Sequence, residues 1–543
     1  MTARQPMWIH RLTPSEVEAL AVAPDGPLAG LSFAVKDNID VAGVATTAGF
    51  PAREGNPAKD SAFAVQLLLD AGAAPVGKTN MDQFATGLVG TRSPYGACHA
   101  VDSPLHVSGG SSSGSAVAVA TGEVDLALGT DTAGSGRVPA AFNGIVGLKP
   151  TRGLVSTSGV LPACRSLDCV TTFTRTVAGA RVALDVLARF DQADAWARPA
   201  PPAAPVGVAR DMRVIAVPAG DLDLDPVHRE AWERAVEHAR TVADRVVPVD
   251  VSAFLEAAQL LYGGPWVAER YAGFGHLLEE AADGLDPVVR SVVLTGRDVT
   301  GASVYEALDR LAVLRRITEP LWTDVDALLL PVTPGHPTLA EVAADPVGVN
   351  SRLGVYTNFV NLLDLCAIAV PSGRRADGLP FGVQLVAPAF ADRPLLDLAS
   401  RWCGEEIGAA GPSSASVEVA VVGAHLSGMA LNPQLVSLGG ALVRRDRTSA
   451  AYRLFRLPGP GVARPGLVRT GDGPVEGLPV EVWELPLQGY AQLQTMVPAP
   501  LGFGRLELLG GTSVHGFLCE AAGVTGAEDI TEHGGWRRYL ATL

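Results

Sequence analysis

The sequence predicts an α/β fold in which a large β-sheet is covered by helices on both faces, followed by a smaller second domain. Three observations support this prediction. Apolar runs of strand length alternate with helical apolar spacing through about the first 400 residues. A segment rich in Gly, Ser and Pro then follows, and beyond it the chain changes to short strands separated by Gly/Pro turns.

The elements of the first domain are predicted from continuous apolar runs for strands and from apolar residues three and four positions apart for helices. The strands are expected at 31–36, 124–130, 144–150, 213–218, 326–332 and 382–388. The helices are expected at 61–72, 177–190, 226–246 and 305–316. A Pro/Ala stretch, 197–207, is predicted to be a surface connection inside this domain.

The domain boundary is predicted within GEEIGAAGPSSASVE, residues 404–418, because Gly, Pro and Ser favour an exposed, weakly packed chain. We expect a first domain over 1–405, a linker over 406–416 and an α+β second domain over 417–543. Short strands of the second domain are expected at 418–423, 452–457, 480–485, 504–509 and 514–520.

Composition excludes several classes of protein. The 543 residues carry a net charge of −15 and show no basic stripe, which argues against binding nucleic acid. No apolar run approaches the roughly 18 residues of a membrane span, and the N-terminus lacks a secretory apolar region. The six cysteines contain no C-x-x-C pair, so neither a disulfide framework nor a zinc ribbon is expected. The sequence therefore predicts a cytoplasmic enzyme with no metal site.

Lysine is scarce: of 42 basic residues only Lys36, Lys59, Lys78 and Lys149 are lysines. A chain biased this strongly toward arginine keeps lysine where arginine cannot replace it, and arginine cannot lose its proton at a usable pH. For Lys59, which lies beside Asp60, chance is a sufficient explanation. Lys36 lies inside the apolar run LSFAVKDNI, where a buried lysine can be neutral and act as a general base.

Two Ser/Gly-rich turns, separated by a buried strand, lie within residues 108–150. Free backbone N–H groups in such turns can stabilise a developing oxyanion, and a serine there is a candidate nucleophile. His99, His106 and Lys36 are the candidate bases. A flexible or phosphate-binding loop is the alternative, but no G-x-x-x-x-G-K-[ST] motif occurs.

These turns read GGSSSGS (109–115) and GTDTAGSGR (129–137), and the early strand ends in VKDNID (35–40). With this spacing the chain resembles the amidase signature family over roughly residues 25–405. The resemblance implies the amidase-signature fold. It also implies a Ser-cisSer-Lys triad, with Ser135 as nucleophile, Ser111 as the bridging serine in a cis peptide, and Lys36 as base.

Further roles follow from the same resemblance. The backbone N–H groups that would bind the oxyanion are those of Thr132, Ala133, Gly134 and Ser135. Arg137 is expected to support the nucleophile structurally. Cys164 and Cys169 are expected to be buried structural cysteines.

Within this family, LPACRSLDCV (161–170), LLYGGPWVAERY (260–271) and the C-terminal stretches around 421–435 and 515–540 look like the allophanate hydrolase subfamily. The resemblance implies hydrolysis of allophanate to ammonia and CO2 without a metal or organic cofactor. Tyr262, Arg270 and Gly87 are the implied substrate-binding residues. Arginine suits the substrate carboxylate because it binds it in bidentate geometry. An ordinary helix salt bridge of Arg270 with Glu269 or Glu306 is the alternative.

The second domain resembles the gamma-glutamylcyclotransferase-like fold, with VVGAHLSG (421–428) in place of the loop that cradles a carboxylate. His425 in this loop is a candidate catalytic residue, and a satisfied structural histidine is the alternative. The domain is expected either to speed decarboxylation of N-carboxycarbamate or to help assembly.

Two other functions remain open from the sequence: hydrolysis of another small amide such as biuret or malonamate, and a tRNA-linked amidotransferase subunit. The expected partners are a second copy of the chain, as a homodimer, and functionally a biotin-dependent urea carboxylase. The sequence leaves open whether the pathway is urea or s-triazine degradation.

Overall fold

The structure, a computed structural model, describes residues 5–20, 22–23, 25–199, 212–280, 282–405, 416–438, 440–459 and 462–543. For Tyr262, Ser416, Ala441 and Gln488 it describes the backbone alone. The described residues form two compact units, the first ending at residue 405 and the second beginning at residue 416.

The first unit is built on an eleven-stranded mixed sheet and a two-stranded ribbon. Its strands are β1 (Trp8–Arg11), β2 (Ser32–Lys36), β3 (Ala74–Thr79), β4 (His99–Ala100), β5 (Ser103–Val107), β6 (Leu126–Asp131), β7 (Val146–Lys149), β8 (Cys169–Thr174), β9 (Val214–Pro218), β10 (Arg245–Val249), β11 (Ala327–Pro331), β12 (Leu365–Arg374) and β13 (Pro380–Pro388). The strand order is β1-β3-β2-β6-β8-β7-β12-β13-β11-β9-β10, and β4 pairs with β5. Strand β2 lies parallel to both β3 and β6.

Fourteen α-helices are found among the described residues of the first unit. They are α1 (Pro14–Ala19), α2 (Phe63–Asp70), α3 (Ser113–Ala120), α4 (Val138–Phe142), α5 (Val177–Leu187), α6 (Pro226–Val242), α7 (Ser252–Gly263), α8 (Trp266–Phe274), α9 (Pro287–Leu294), α10 (Gly301–Thr318), α11 (Leu339–Ala344), α12 (Gly348–Leu353), α13 (Asn358–Leu362) and α14 (Asp392–Cys403). Among the helices that the structure describes, none is long and apolar enough to cross a membrane.

Side chains alternate between the two faces of the large sheet, and in the central strands both faces contribute to a hydrophobic core. In β2, Phe33 and Val35 belong to the core that α2, α5 and α14 help to form, whereas Ala34 belongs to the core around α3 and α4. Each strand and helix named from the sequence for this unit is present, with ends shifted by at most a few residues. The prediction of an α/β sheet covered on both faces is confirmed.

The second unit combines a five-stranded and a three-stranded sheet with short helices. Its strands are β14 (Ser416–Val421), β15 (Ala441–Arg447), β16 (Tyr452–Arg456), β17 (Pro465–Arg469), β18 (Pro479–Pro486), β19 (Leu501–Glu507), β20 (Ser513–Cys519) and β21 (Glu528–Asp529); its helices are α15 (Asn432–Ser437), α16 (Leu487–Met496) and α17 (Trp536–Leu540). The sheet orders are β15-β18-β14-β20-β19 and β17-β16-β21. The five short strands expected here are all present, so the α+β prediction is confirmed.

Two predicted connections fall on residues that the structure does not describe. Of the surface connection at 197–207, only 197–199 belong to the described residues. The linker predicted at 406–416 lies outside them except for the backbone of Ser416. The domain limits stay predictions.

Candidate active site

Lys36 is the last residue of β2 and meets the loop before α3 and the neighbouring strand β6. Its Nζ donates hydrogen bonds to Ser111 Oγ and to Thr130 Oγ1, each at 2.8 Å. Both Lys36 and Ser111 are fully buried. Lys36 and Ser111, two of the three predicted triad residues, are therefore in direct hydrogen-bond contact.

Burial sets the protonation state of Lys36. Loss of solvation lowers its pKa from 10.5 to about 7; nearby Asp82, Asp168 and Asp131 oppose this shift, and Arg270 reinforces it. At neutral pH a large fraction of Lys36 is therefore the free amine. A free amine can accept a proton from the Ser111 hydroxyl at the observed distance, which is what a general base requires.

The loop that carries Ser111 is packed tightly against Asp82. The peptide bond between Gly110 and Ser111 is cis, and the Ser111 carbonyl accepts the Asp82 backbone N–H at 3.1 Å. A Cβ atom on Gly110 would lie 2.1 Å from Asp82 Oδ2, so glycine is required there. Asp82 also accepts the backbone N–H groups of Gly90 and Arg92 at 3.0 and 2.9 Å.

Ser135 lies in the turn between β6 and α4, and it is 3% exposed. The Asp131 carboxylate holds this turn by accepting the backbone N–H groups of Gly134 at 2.7 Å and Gly136 at 3.1 Å. Among the described residues, no hydrogen bond joins Ser135 to Ser111, and the Ser135 hydroxyl has no hydrogen-bond partner. Such contacts often form only with substrate bound, so the free hydroxyl is compatible with a nucleophile.

The same turn narrows the set of predicted oxyanion donors. The Gly134 N–H donates its hydrogen bond to the Asp131 carboxylate, so it is not available to bind an oxyanion. The N–H groups of Thr132, Ala133 and Ser135 enter no hydrogen bond with any residue that the structure describes. A developing negative charge could therefore accept hydrogen bonds from these three N–H groups without displacing a partner inside the turn.

Arg137 supports this turn from beneath, as expected from the sequence. Its guanidinium donates to both carboxylate oxygens of Asp131, at 2.9 and 3.0 Å, and is fully buried. It also donates to the Thr357 carbonyl at 3.1 Å and to Gln384 Oε1 at 2.8 Å. Because its guanidinium N–H groups donate to protein acceptors, Arg137 has a structural role in holding this turn.

Arg270 lies on α8, is 1% exposed, and donates from Nη1 to Thr86 Oγ1 at 3.1 Å and to the Ala85 carbonyl at 3.4 Å. Glu269, proposed above as a salt-bridge partner, accepts hydrogen bonds from the N–H and hydroxyl of Ser166 at 2.7 and 2.6 Å. The positive charge of Arg270 also contributes to lowering the pKa of Lys36.

The segment that contacts Arg270 has an unusual backbone. Phe84 and Ala85 have φ values of 50° and 52°, in the left-handed region that costs non-glycine residues energy. The Phe84 ring stacks on Phe274 of α8, with ring centroids 4.7 Å apart, and so holds the segment against the helix of Arg270. Gly87 ends this segment, and a Cβ atom there would lie 2.6 Å from Asp82 Oδ2.

Two further predictions concern side chains near the site. Tyr262 lies on α7, but its side chain is outside the part of the chain that the structure describes. Cys164 and Cys169 are buried, and burial raises the pKa of Cys164 to about 12 and also raises that of Cys169. Both remain protonated at neutral pH, which fits the expected structural role.

Sequence reasoning assigned no role to three residues that act on the site: Thr130, Asp82 and Asp168. Thr130 is the second hydrogen-bond partner of Lys36, and Asp168 accepts the Thr132 hydroxyl and the Ala163 N–H. Asp82 lies in the stretch KTNMDQFATG (78–87), and Asp168 lies in LPACRSLDCV (161–170), one of the stretches that carry the subfamily resemblance.

The other lysines have distinct surroundings. Lys78 is fully buried and forms an ion pair with Asp37 at 2.9 Å. Lys149 is fully buried and donates to the Pro150 carbonyl at 2.7 Å. Lys59 is exposed. Three of the four lysines are therefore buried, and the pKa of Lys36 is lowered.

In the second unit, His425 lines a cavity together with Gln434 and Phe517. Its Nε2 lies 3.1 Å from Gln434 Oε1, and its ring stacks on Phe517 with centroids 4.9 Å apart. Burial lowers the pKa of His425. These contacts satisfy one ring nitrogen and leave the ring at the wall of the cavity.

Comparison with known families covers both units. The family model described as Amidase matches residues 13–396, and the model described as Allophanate hydrolase C-terminal domain matches residues 417–541. Urea amidolyases of Lachancea kluyveri and Saccharomyces cerevisiae are 43% and 42% identical over 95% of the chain. The chain spans 30% of the length of each of these two relatives.

Two further comparisons differ in how much of the chain they cover. A glutamyl-tRNA(Gln) amidotransferase subunit of Haloarcula marismortui is 35% identical, over 70% of this chain and 96% of that protein. A solved structure of a Kluyveromyces lactis allophanate hydrolase variant matches with a TM-score of 0.75 and 39% identity. That match covers 99% of this chain and 93% of the other.

Proposed function

The chain belongs to the amidase family and carries an allophanate hydrolase C-terminal domain, and on this basis we propose that it hydrolyses allophanate to ammonia and CO2. The observation that carries the proposal is the pairing of these two domains in one chain, matched along nearly its whole length by an allophanate hydrolase. The site geometry in the first unit is compatible with this chemistry.

The proposed first step forms an ester with Ser135. Neutral Lys36 accepts the proton of Ser111, Ser111 accepts the proton of Ser135, and Ser135 Oγ attacks the terminal carbonyl carbon of allophanate. The N–H groups of Thr132, Ala133 and Ser135 bind the oxyanion. The proton then returns to the terminal nitrogen as the C–N bond breaks, and ammonia leaves.

The proposed second step releases the acyl group. Water attacks the ester carbon while Lys36 and Ser111 again take up a proton, which returns to Ser135 Oγ as the C–O bond breaks. The product is N-carboxycarbamate. The support for this relay is the 2.8 Å contact between Lys36 and Ser111 and the pKa of Lys36, about 7.

We assign the carboxylate of allophanate to Arg270, with Tyr262 and Gly87 as further substrate-binding residues. The support is a buried guanidinium held at a fixed position by Thr86 and Ala85, close enough to Lys36 for its charge to act there. A planar guanidinium offers a carboxylate two parallel hydrogen bonds.

Two of the alternative functions, biuret hydrolysis and the amidotransferase subunit, are less well supported. Biuret carries no carboxylate for Arg270 to bind, whereas malonamate carries one. The similarity to the amidotransferase subunit covers 70% of the chain, which leaves the C-terminal domain without a counterpart.

Ammonia release by the purified chain from allophanate, biuret, malonamate and glutamine tests the proposal. Allophanate is expected to be turned over with the largest kcat/KM, and Ser135→Ala is expected to remove that activity. The assignment is overturned if glutamine is the only one of the four substrates that is turned over, and if its turnover requires added partner subunits.

For the second unit we propose that His425 assists loss of CO2 from N-carboxycarbamate. Its position at the wall of a small cavity supports this role. An architectural role for this domain is the alternative, since His425 also bonds to Gln434 and stacks on Phe517.

We propose further that the enzyme works in the cytoplasm as a homodimer, downstream of a biotin-dependent urea carboxylase. The six cysteines are free thiols, as expected in a reducing compartment. Allophanate is the carboxylation product of urea, so a urea-carboxylating enzyme is the reaction class that supplies it. The proposed catalytic domain is 1–405, the linker 406–416 and the second domain 417–543.

A further inference from the structure

A buried carboxylate of the first unit, Asp168, lies beside the turn that carries Ser135. Asp131, the last residue of β6, is paired with Cys169, the first residue of β8, and the two strands are antiparallel. The residue that follows β6 therefore lies next to the residue that precedes β8, which places Thr132 beside Asp168. The Asp168 carboxylate accepts the Thr132 hydroxyl. Among the described residues, this is the one hydrogen bond of that hydroxyl.

Asp168 is held in place independently of Thr132. Its carboxylate accepts the backbone N–H groups of Ala163 at 2.8 Å and of Cys164 at 3.2 Å. Its own N–H donates to the Cys164 carbonyl at 2.8 Å, and the residue is buried. A carboxylate fixed by two backbone N–H groups can serve as a rigid support for a third donor, which here is the Thr132 hydroxyl.

The other contacts of the turn fix residues that come after Thr132. The Asp131 carboxylate accepts two backbone N–H groups further along the turn. The Thr357 hydroxyl donates to the Ala133 carbonyl at 2.6 Å. The Thr132 N–H is free to bind an oxyanion, and the contact with Asp168 is the one that holds its residue by the side chain.

We propose that the carboxylate of Asp168 is a positioning group for amide hydrolysis: by holding the Thr132 hydroxyl, it keeps the Thr132 N–H directed at the oxyanion that forms on the substrate carbonyl. The inference rests on the proposed function, which places oxyanion formation at this turn. Asp168 touches neither substrate nor Ser135 in this role and acts through Thr132.

The effect of this support is expected in kcat. A backbone N–H stabilises the oxyanion most when it is oriented before the reaction, because no free energy is then spent on turning it during the reaction. The full negative charge forms on the carbonyl oxygen only when Ser135 attacks. Loss of the support therefore weakens binding of the transition state more than binding of the substrate, which lowers kcat and leaves KM nearly unchanged.

The negative charge of Asp168 provides a second observable. Burial raises the pKa of Asp168, and the hydrogen bond from Thr132 is the strongest of the interactions that oppose this rise. The charge of Asp168 in turn raises the pKa of Lys36. Removal of the charge is expected to lower the pKa of Lys36, so more of the free amine remains at acid pH.

Steady-state ammonia release by the full-length protein tests the bond. Thr132→Val removes the hydroxyl and keeps the backbone N–H, and it is expected to lower kcat by about 10- to 100-fold with less than about a threefold change in KM. Thr132→Ser keeps the hydroxyl and is expected to retain most of the wild-type kcat. Asp168→Ala is expected to match Thr132→Val, and the double variant is expected to be no slower than either single variant.

Two further variants separate positioning from folding. Asp168→Asn keeps an amide that can bond to the Thr132 hydroxyl, so its kcat is expected to exceed that of Asp168→Ala. It lacks the charge, so the acid limb of its kcat/KM profile is expected at lower pH than in the wild type. Asp392→Ala is the matched control, because Asp392 at the start of α14 is also buried and accepts the N–H and hydroxyl of Thr151 at 2.7 and 2.6 Å. It is expected to keep the wild-type kcat, KM and pH profile.

The outcomes decide the inference separately from the proposed substrate. A wild-type kcat in Thr132→Val overturns it, as do losses that multiply in the double variant or an acid limb that does not move in Asp168→Asn. Equal losses of kcat in Asp392→Ala and Asp168→Ala also overturn it, since folding then explains both. All variants are compared on the amide that the wild type turns over fastest. If that amide is not allophanate, the proposed substrate fails, and the role of Asp168 is still decided by the same comparison.

Discussion

The buried guanidinium of Arg270 disfavours the protonated form of Lys36, which is also buried. Burial is the main cause of the lowered pKa of Lys36, and the positive charge of Arg270 lowers it further. With the substrate carboxylate assigned to Arg270 as proposed, the bound carboxylate cancels that contribution. Under this assignment substrate binding and the basicity of Lys36 are coupled, and the coupling gives the pH profile a definite direction.

The first prediction concerns this profile. Because protonated Lys36 cannot accept the proton of Ser111, kcat/KM is expected to fall about tenfold per pH unit below pH 7, the approximate pKa of free Lys36. The bound carboxylate stabilises the ammonium form, so the corresponding fall in kcat is expected at higher pH. Initial rates of ammonia release between about pH 5 and 9 measure both limbs. A kcat limb at lower pH than the kcat/KM limb contradicts the coupling.

The second prediction tests the carboxylate anchor. Arg270→Gln is expected to raise KM for allophanate by about 10- to 100-fold, since a charge-assisted bidentate contact is lost. Turnover of biuret, which has no carboxylate, is expected to change much less. Arg297→Gln, a half-exposed arginine of the same unit, is the control. Equal losses on both substrates indicate that Arg270 has a structural role only.

The third prediction tests the relay. Ser135→Ala, Lys36→Ala and Lys36→Arg are each expected to lower ammonia release by about 1,000-fold or more, because the groups act as a unit and arginine cannot act as base. Lys59→Arg, at an exposed lysine, is expected to keep full activity. Wild-type rates in Lys36→Arg would remove Lys36 from the mechanism.

The fourth prediction concerns stability. The folded protein holds Lys36 at a pKa of about 7, whereas the unfolded chain holds it near 10.5. Between these values the unfolded state binds more protons, so this group makes the folded state more stable as the pH rises from 7 toward 10.5. Lys36→Met removes the free-energy cost of burying this lysine, but it also removes the two hydrogen bonds of Lys36. The net result expected is a free energy of unfolding about 1–2 kcal/mol higher at pH 7.

Urea denaturation at pH 7 and pH 9 measures this effect. The stabilisation by Lys36→Met is expected to be smaller at pH 9, because the cost of burying Lys36 in the wild-type protein decreases as the pH rises toward 10.5. A variant that is less stable than wild type at both pH values would show that the hydrogen bonds to Ser111 and Thr130 outweigh the cost of burial.

The fifth prediction concerns the second domain. A chain ending near residue 410 keeps every residue assigned to amide hydrolysis and is expected to release the first ammonia from allophanate. It is expected to lose rapid CO2 release, and His425→Ala in the full chain is expected to reproduce that loss. Ammonia yield per allophanate at early times distinguishes the three proteins. Equal yields and rates in all three would leave the second domain with an architectural role.

Six strands of the large sheet were predicted from continuous apolar runs, because burial on both faces of a sheet leaves no polar positions. Strand β12 was missed although its first six residues, LCAIAV, are also apolar and buried. Strand β8 was not named, although it is fully buried within the large sheet. Its sequence CVTTFT contains three threonines, although all six residues are buried. A strand with several polar residue types does not form an apolar run, so it is missed when apolar runs are the criterion. Residue type alone does not report that environment.

In the active site, Lys36 was predictable because a single lysine interrupts an apolar run. Its second partner, Thr130, was not, because the contact depends on β2 lying beside β6. The left-handed backbone at Phe84 and Ala85 was not predictable either, since neither residue type favours it. It is maintained by tertiary packing, including the stacking of Phe84 on Phe274.

The burial of three of the four lysines gives the surface of this protein an unusual chemical character. Amines react with carbonyl electrophiles such as cyanate, whereas guanidinium groups stay protonated and unreactive at neutral pH. With arginine supplying nearly all positive charge at the surface, Lys59 is the one lysine side chain open to such reagents. The amine of Lys36 is fully buried, so it is not exposed to such reagents at the protein surface in the way that Lys59 is.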